Sequence, residues 1–250
     1  GPSGTFSVGN TPPTVTISPP STNRTASGPV SYTVSYSDAN ATTVSLSAND
    51  ITLNKTGNAN GTVSVSGSAN TRTVTISNIT GDGSLGITVA AGSARDQAGN
   101  TAVAAGPSEV FIVDNTPPSV SISAPSSTFT RTGSISYAVA YADENFLAST
   151  LTPANIALNK TGTADGTIAV SGSGTSRTAT LSGITGDGTL GISISPGTAT
   201  DQTGNLAPAA GPSASFTVDN TPPVVTISPP STNITAGGSV RYTVSYVDAN

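Results

Sequence analysis

The chain has 250 residues, charged residues at only 8% of positions and a formal charge of −5. Globular proteins are about one-quarter charged, and no basic run occurs here, so neither nucleic acid nor an anionic membrane surface is an expected partner. Cys, His, Met and Trp are all absent, which removes thiolate and imidazole chemistry and with it zinc, haem and iron–sulfur sites.

No apolar run is long enough to span a membrane, so the segment is not expected to insert in one. The decisive feature is a repeat. Val113-Asp114-Asn115-Thr116-Pro117-Pro118 recurs as Val218-Asp219-Asn220-Thr221-Pro222-Pro223, and in weaker form as Val8-Gly9-Asn10-Thr11-Pro12-Pro13. The period is 105 residues without insertion or deletion, and about half the positions of the two full repeats are identical. Asp and Asn favour turns, while two prolines fix φ and remove two backbone donors. Each such segment therefore reads as a linker between tandem domains of one fold. The expected organisation is residues 1–9 as the last strand of a preceding repeat, repeat 1 at 10–114, repeat 2 at 115–219, and the start of a third at 220–250. A segment that begins and ends mid-repeat implies a longer array.

In chain order, Val15 and Ile17 alternate with threonines, as Val120 and Ile122 do with serines, which marks half-buried strands. A Pro/Ser/Thr-rich bend covers 19–29. The clearest strand is 30–37, with Val30, Tyr32, Val34 and Tyr36 on one side; it returns at Ile135–Tyr141 and at Val240–Tyr246. Short apolar patches follow at Val44/Leu46 and Ile51/Leu53, then strands through Val63/Val65 and Val74/Ile76. Gly81-Asp82-Gly83 makes a turn into Leu85, Ile87 and Val89. A Gly/Ala/Ser-rich loop over 91–107 leads to the last strand, through Phe111 and Val113. No window shows a helical period.

About seven short strands per repeat, with turn signals every 8–12 residues, predict an all-β chain of tandem immunoglobulin-like sandwiches. The Cys…Trp…Cys set of antibody domains is missing, so each core rests on Val, Ile, Leu and the paired tyrosines. Asp96-Gln97-Ala98-Gly99-Asn100 and Asp201-Gln202-Thr203-Gly204-Asn205, each followed by Val-Asp-Asn-Thr-Pro-Pro, resemble the tandem bacterial Ig-like repeats of large cell-surface and adhesin proteins. The resemblance covers the whole chain. It implies an extracellular or cell-surface stalk or fibre module, often stiffened by Ca²⁺ between domains, and no catalytic activity.

The recurring acids are Asp38/Asp143/Asp248, Asp82/Asp187, Asp96/Asp201 and Asp114/Asp219, all expected in loops or linkers. In an Ig-like topology Asp143, Glu144 and Asn145 fall in one loop, Asp201 and Asn205 in a second, and Asp114 and Asn115 in the linker entering repeat 2. Converging carboxylates repel unless a cation lies among them, and Ca²⁺ takes six to eight hard oxygens. Asp38 and Asp96 form the repeat 1 counterpart, weaker because Gly9 and Ala39 replace Asp114 and Glu144; Asp219 and Asp248 belong to the third. The alternative is that these are ordinary turn residues, the favoured reading for Asp82 and Asp187, although Asp82 is expected to face the repeat 1–repeat 2 junction.

Lys55 and Lys160, in Leu-Asn-Lys-Thr-Gly, would need a buried carboxylate to form an isopeptide bond, and no acid is expected within a strand. Threonine rows such as Thr73/Thr75 are accounted for as water-facing sides of strands. The sequons at Asn23, Asn40, Asn54, Asn60, Asn78, Asn159 and Asn233 follow from composition. With no His, Cys, nucleophile elbow or phosphate loop, an enzyme is not expected. Two functions remain: a spacer or fibre whose partners are neighbouring repeats, or an adhesive module for a protein or glycan. A variant of the first is lateral self-assembly between copies through poorly protected sheet edges. Phe129 and Phe146, without counterparts in repeat 1, are candidate interdomain or lateral packing residues.

Overall fold

The computed structural model describes residues 1, 3–4, 8–40, 42–234 and 236–248; positions 2 and 5–7 of the expected strand at 1–9 lie outside them. The chain forms two compact units, Gly1–Pro117 with Asp201–Asn205, and Pro118–Thr200 with Leu206–Asn250. The first contains β1 (Thr14–Ile17), β2 (Arg24–Thr25), β3 (Val30–Ser37), β4 (Thr42–Val44), β5 (Ile51–Lys55), β6 (Asn60–Ser66), β7 (Thr71–Thr80), β8 (Gly83–Val89), β9 (Ala94–Asp96) and β10 (Phe111–Val113). Two four-stranded sheets, β1-β3-β7-β6 and β2-β10-β8-β5, form an immunoglobulin-like sandwich, with β4 and β9 as a two-stranded extra pair.

The second unit repeats this with β11 (Ser119–Ile122), β12 (Phe129–Thr130), β13 (Ile135–Ala142), β14 (Phe146–Ser149), β15 (Ile156–Lys160), β16 (Asp165–Ser173), β17 (Ser176–Thr185), β18 (Gly188–Ile194), β19 (Ala199–Asp201) and β20 (Phe216–Val218). Its sheets are β11-β13-β17-β16 and β12-β20-β18-β15, with β14 paired to β19. β21 (Val224–Ile227) and β22 (Val244–Val247) pair antiparallel in the register that joins β1 to β3.

Alternation in β3 does what the sequence implies: Val30, Tyr32, Val34 and Tyr36 are buried while Thr33 and Ser37 are exposed. Each core has its own residues. The first gathers Tyr32, Val74, Ile76, Leu85, Ile87 and Phe111; the second gathers Tyr137, Leu181, Leu190, Ile192 and Phe216. Each large side chain so buried contributes about 1.5–3 kcal/mol. A buried tyrosine hydroxyl must keep a partner. The Tyr32 hydroxyl donates to the Glu109 carbonyl at 2.8 Å and Tyr137 to Ala214 at 2.9 Å. Tyr36 and Tyr141 reach the Ser93 and Thr198 hydroxyls, each at 2.9 Å.

Four expectations need correction. The bend at 19–29 contains β2, and the loop at 91–107 contains β9, which pairs with β4. Both strands are two or three residues long, too short to show a period. Aspartates do occur within strands: Asp96 and Asp201 end β9 and β19, and Asp165 opens β16. Phe146 is a core-packing residue of its own unit, its ring 6.3 Å from Tyr141, whereas Phe129 is exposed. Single 3₁₀ turns at Ala48–Asp50 and Pro153–Asn155 lead into β5 and β15.

Candidate metal centre

Each D-x-x-G-N loop is built around its aspartate. In the first unit Asp96 accepts the Asn100 backbone N–H at 2.7 Å through Oδ1 and the Asn100 side-chain amide at 2.8 Å through Oδ2. The same amide also donates to the Gly9 carbonyl at 2.8 Å, which ties the loop to the linker. These bonds, the Asn100 side chain first, hold the Asp96 carboxyl below its ordinary range. Asp38 accepts the Asn40 N–H at 2.7 Å. A Cβ added at Gly9 would lie 2.7 Å from Asn40 Nδ2, so a side chain at this linker position points toward the Asp38–Asn40 loop.

The second copy of this arrangement carries that side chain, because Gly9 is replaced by Asp114. Thr203 Oγ1 and Asn205 Nδ2 donate to the Asp114 carbonyl at 3.1 and 2.9 Å. Asp201 Oδ1 accepts from the Thr203 N–H and hydroxyl and from the Asn205 N–H, and its Oδ2 accepts from Asn205 Nδ2 at 2.7 Å. Burial pushes the Asp201 carboxyl up, but the hydrogen bonds outweigh it and hold it below the usual value. Asp143 accepts the Asn145 N–H at 2.7 Å.

Asp114 and Asp201, both of the first compact unit, form a buried acidic cluster whose carboxylate oxygens lie within 4.8 Å of each other; Asp143, half-buried, belongs to the second unit. These carboxylates could help to hold a metal ion. The donors are hard oxygens, the kind Ca²⁺ takes, but two carboxylates fall short of its six to eight ligands, and further carboxylates, carbonyls or water would supply the rest. The Asp201 Oδ1 lone pairs are already shared with loop donors, which leaves Oδ2 as its better ligand atom.

The other expected ligands lie elsewhere or act differently. Glu144 is exposed and outside the cluster. Asn205 Nδ2 orients the Asp201 carboxylate and the Asp114 carbonyl as a donor. Asp219 accepts the Thr221 N–H at 3.0 Å, and Asp248 is exposed beyond β22.

Asn115 is a clear correction. Its N–H donates to Asp82 Oδ1 at 2.6 Å and its side chain to the Gly81 carbonyl at 2.7 Å, while Thr116 Oγ1 donates to Asp82 Oδ2 at 2.9 Å. The second unit repeats the pattern with Asp187, Asn220, Gly186 and Thr221. Asp82 and Asp187 are thus more than turn formers: each seats the first two residues of the linker that leaves its own unit. Periodicity gave no sign of this, although the fixed spacing of G-D-G and D-N-T in both repeats could have.

The seat is charge-dependent. The Asn220 N–H, then the Thr221 hydroxyl, hold the Asp187 carboxyl below its ordinary 3.8. A depressed carboxylate adds stability that is complete above its unfolded pKa and is lost as pH falls through the folded value. On acidification the Asn220 amide resonance should therefore stay put past pH 3.8 and move below it. Thr221→Val should raise that midpoint. A wild-type midpoint above 3.8 would contradict the seat.

No protein-family model matches the chain, and no curated protein sequence matches it. Among solved structures it is similar to the Escherichia coli adhesin FdeC, at 20% identity over 95% of this chain and 73% of that one, with a TM-score of 0.38. It is also similar to the Yersinia pseudotuberculosis adhesin InvE, at 13% identity over 82% of this chain and 58% of that one, with a TM-score of 0.29. Titin domains z1z2, solved with telethonin, match at 14% identity over 82% of this chain and 96% of that one, with a TM-score of 0.24. Among the described residues no helix is long and apolar enough to cross a membrane.

Proposed function

We propose that the chain is a non-enzymatic structural segment of a bacterial surface protein of the adhesin type, a run of Ig-like units that supplies reach and stiffness outside the cell. The observation that carries this is the linker seat. The same four groups, a turn aspartate, a turn carbonyl and the Asn-Thr pair that follows, are bonded alike after both sandwiches. Polar side chains are spent on fixing where the chain leaves each unit, while the composition offers no His or Cys for chemistry. The sequence resemblance to tandem bacterial Ig-like repeats supports the same reading.

Calcium is the finer part of the proposal, held by Asp114, Asp143 and Asp201. The test is thermal unfolding of the chain in millimolar Ca²⁺ and again with excess chelator. Saturation about 100-fold above Kd adds roughly 2.7 kcal/mol, a rise of several degrees in a unit of ~100 residues. The double variant Asp143→Ala/Asp201→Ala should abolish the rise. Superimposable wild-type curves would leave the acids as turn residues and the prolines as the source of stiffness.

One observation favours a second reading, lateral association of copies. Of the four edges of the two four-stranded sheets in each unit, three are short, flanked by proline or ended by lysine, but β6 and β16 are long edges with neither. Such edges accept a further strand.

A further inference from the structure

Asn60–Gly61 is the only Asn-Gly dipeptide in the chain. It opens β6 at a register shift against β7, between Asn60 and Thr62, and Asn60 is exposed. Lys55, the last residue of β5, donates from Nζ to Asn60 Oδ1 at 3.2 Å. Gly61 cannot readily be anything else: an added Cβ would lie 2.6 Å from Ile76 Cγ2 and 3.3 Å from the Ser77 carbonyl. The residue after Asn60 is therefore held as the one whose backbone nitrogen no side chain shields.

The equivalent dipeptide of the second unit is Asp165–Gly166. There Lys160 Nζ lies 2.9 Å from Asp165 Oδ2, and the Gly166 N–H donates to Asp165 Oδ1 at 2.9 Å. At this point of the fold, then, the side chain curls onto the amide of the following glycine, and the lysine faces the carboxyl group. The Lys160 side chain, foremost, holds the Asp165 carboxyl below its ordinary range.

We propose that Asn60 is a site of spontaneous, lysine-assisted deamidation, which converts this β5–β6 connection of the first unit to the charged form that the second unit encodes. The Gly61 nitrogen gives its proton to solvent base and attacks Cγ of Asn60. The carbonyl electron pair moves onto Oδ1, where the Lys55 ammonium stabilises it by a charge-assisted hydrogen bond. As the pair returns, the Cγ–Nδ2 bond breaks and Nδ2 leaves as ammonia with a proton from water. Water then opens the cyclic imide, giving aspartate when it adds at Cγ and isoaspartate when it adds at the main-chain carbonyl. No oxidant or reductant takes part. The aspartate product gains the ion pair seen at Lys160–Asp165.

The test is ageing of the full chain at mildly alkaline pH and body temperature, followed by peptide mapping with mass spectrometry. The expected result is a gain of one mass unit at Asn60 well ahead of Asn54 and Asn58, as a mixture of aspartate and isoaspartate. Lys55→Met should slow it roughly tenfold, the rate equivalent of one charge-assisted hydrogen bond to the developing oxyanion. Lys55→Arg, which keeps the charge, should stay near the wild-type rate, and circular dichroism checks that both variants fold. Conversion of Asn60 no faster than its neighbours would overturn the proposal. So would an unchanged or faster rate in Lys55→Met, or permanent loss of ammonia with Lys55 resistant to trypsin, which would make the lysine the nucleophile.

Discussion

Phe111→Ala should remove about 3–5 kcal/mol from the first unit, the usual cost of emptying a buried phenylalanine site. Phe111 is fully buried, lies opposite Leu85 in the β10–β8 ladder and has its ring centroid 6.5 Å from that of Tyr32. Tyr32 cannot swing into the void, because its hydroxyl is fixed to the Glu109 carbonyl at 2.8 Å. The core has few other large rings, so little can collapse into the gap. Domains of this size hold about 5–15 kcal/mol in total, and the loss should lower melting by more than about 10 °C. The two cores share no residue. Calorimetry of the whole chain should therefore show one transition displaced and the other in place. A shift of both together would mean that the units do not melt on their own cores.

Gly83→Ala is expected to cost roughly 2–5 kcal/mol, from about 1–2 for left-handed backbone and about 1–3 for overpacking. Gly83 has φ +142°, and an added Cβ would overlap the Thr56 carbonyl oxygen; Gly57, facing it at φ +60°, would overlap the Asp82 carbonyl. Both obstacles are backbone, so no rotamer change relieves them. The control is Gly92→Ala. Gly92 has φ +82° with nothing within 4 Å of its Cβ, so only the backbone part of about 1–2 kcal/mol applies. Denaturant unfolding should rank Gly83→Ala well below Gly92→Ala, and because Gly83 adjoins Asp82, exchange of the Asn115 amide should quicken. Equal losses would show that the turn yields more than its geometry implies.

The sandwich was legible because its apolar residues alternate: β3 buries every second residue along its length, β7 buries Val74 and Ile76, and β8 buries Leu85, Ile87 and Val89, and a single exact period doubled every signal. β2 and β9 were hidden because they form through partners distant in sequence, Arg24–Thr25 beside Ile112–Val113 and Thr42–Val44 beside Ala94–Asp96. Of the candidate site, Asp114, Asp143 and Asp201 are named from the loop positions of an Ig-like topology, whereas no sequence pattern announces the burial of Asp114 and Asp201. What could not be read was direction. Asn115 is adjacent in sequence to Asp114 yet turns to Gly81 and Asp82, and nothing local distinguishes a side chain that bonds backward from one that bonds forward. Asn205 is read from sequence as an oxygen donor, while its Nδ2 donates to the Asp201 carboxylate and the Asp114 carbonyl, a use its position in the loop does not announce.

The pairing of β2 with β10 has a mechanical consequence. These two strands, one near each end of a unit, run parallel, joined by Ile112 N–H to the Asn23 carbonyl at 2.9 Å and Asp114 N–H to the Thr25 carbonyl at 3.1 Å. In the second unit Thr217 and Asp219 bond Thr128 and Thr130 in the same way, at 2.8 and 3.2 Å. Tension applied through the two ends of a unit draws parallel strands past each other, so it loads both bonds at once in shear, whereas an antiparallel hairpin pulled from its open end unzips one bond at a time. Each sandwich is thus latched where a pull from its C-terminal end would enter, while from the other end the ladder of β1 to β3 lies ahead of the latch.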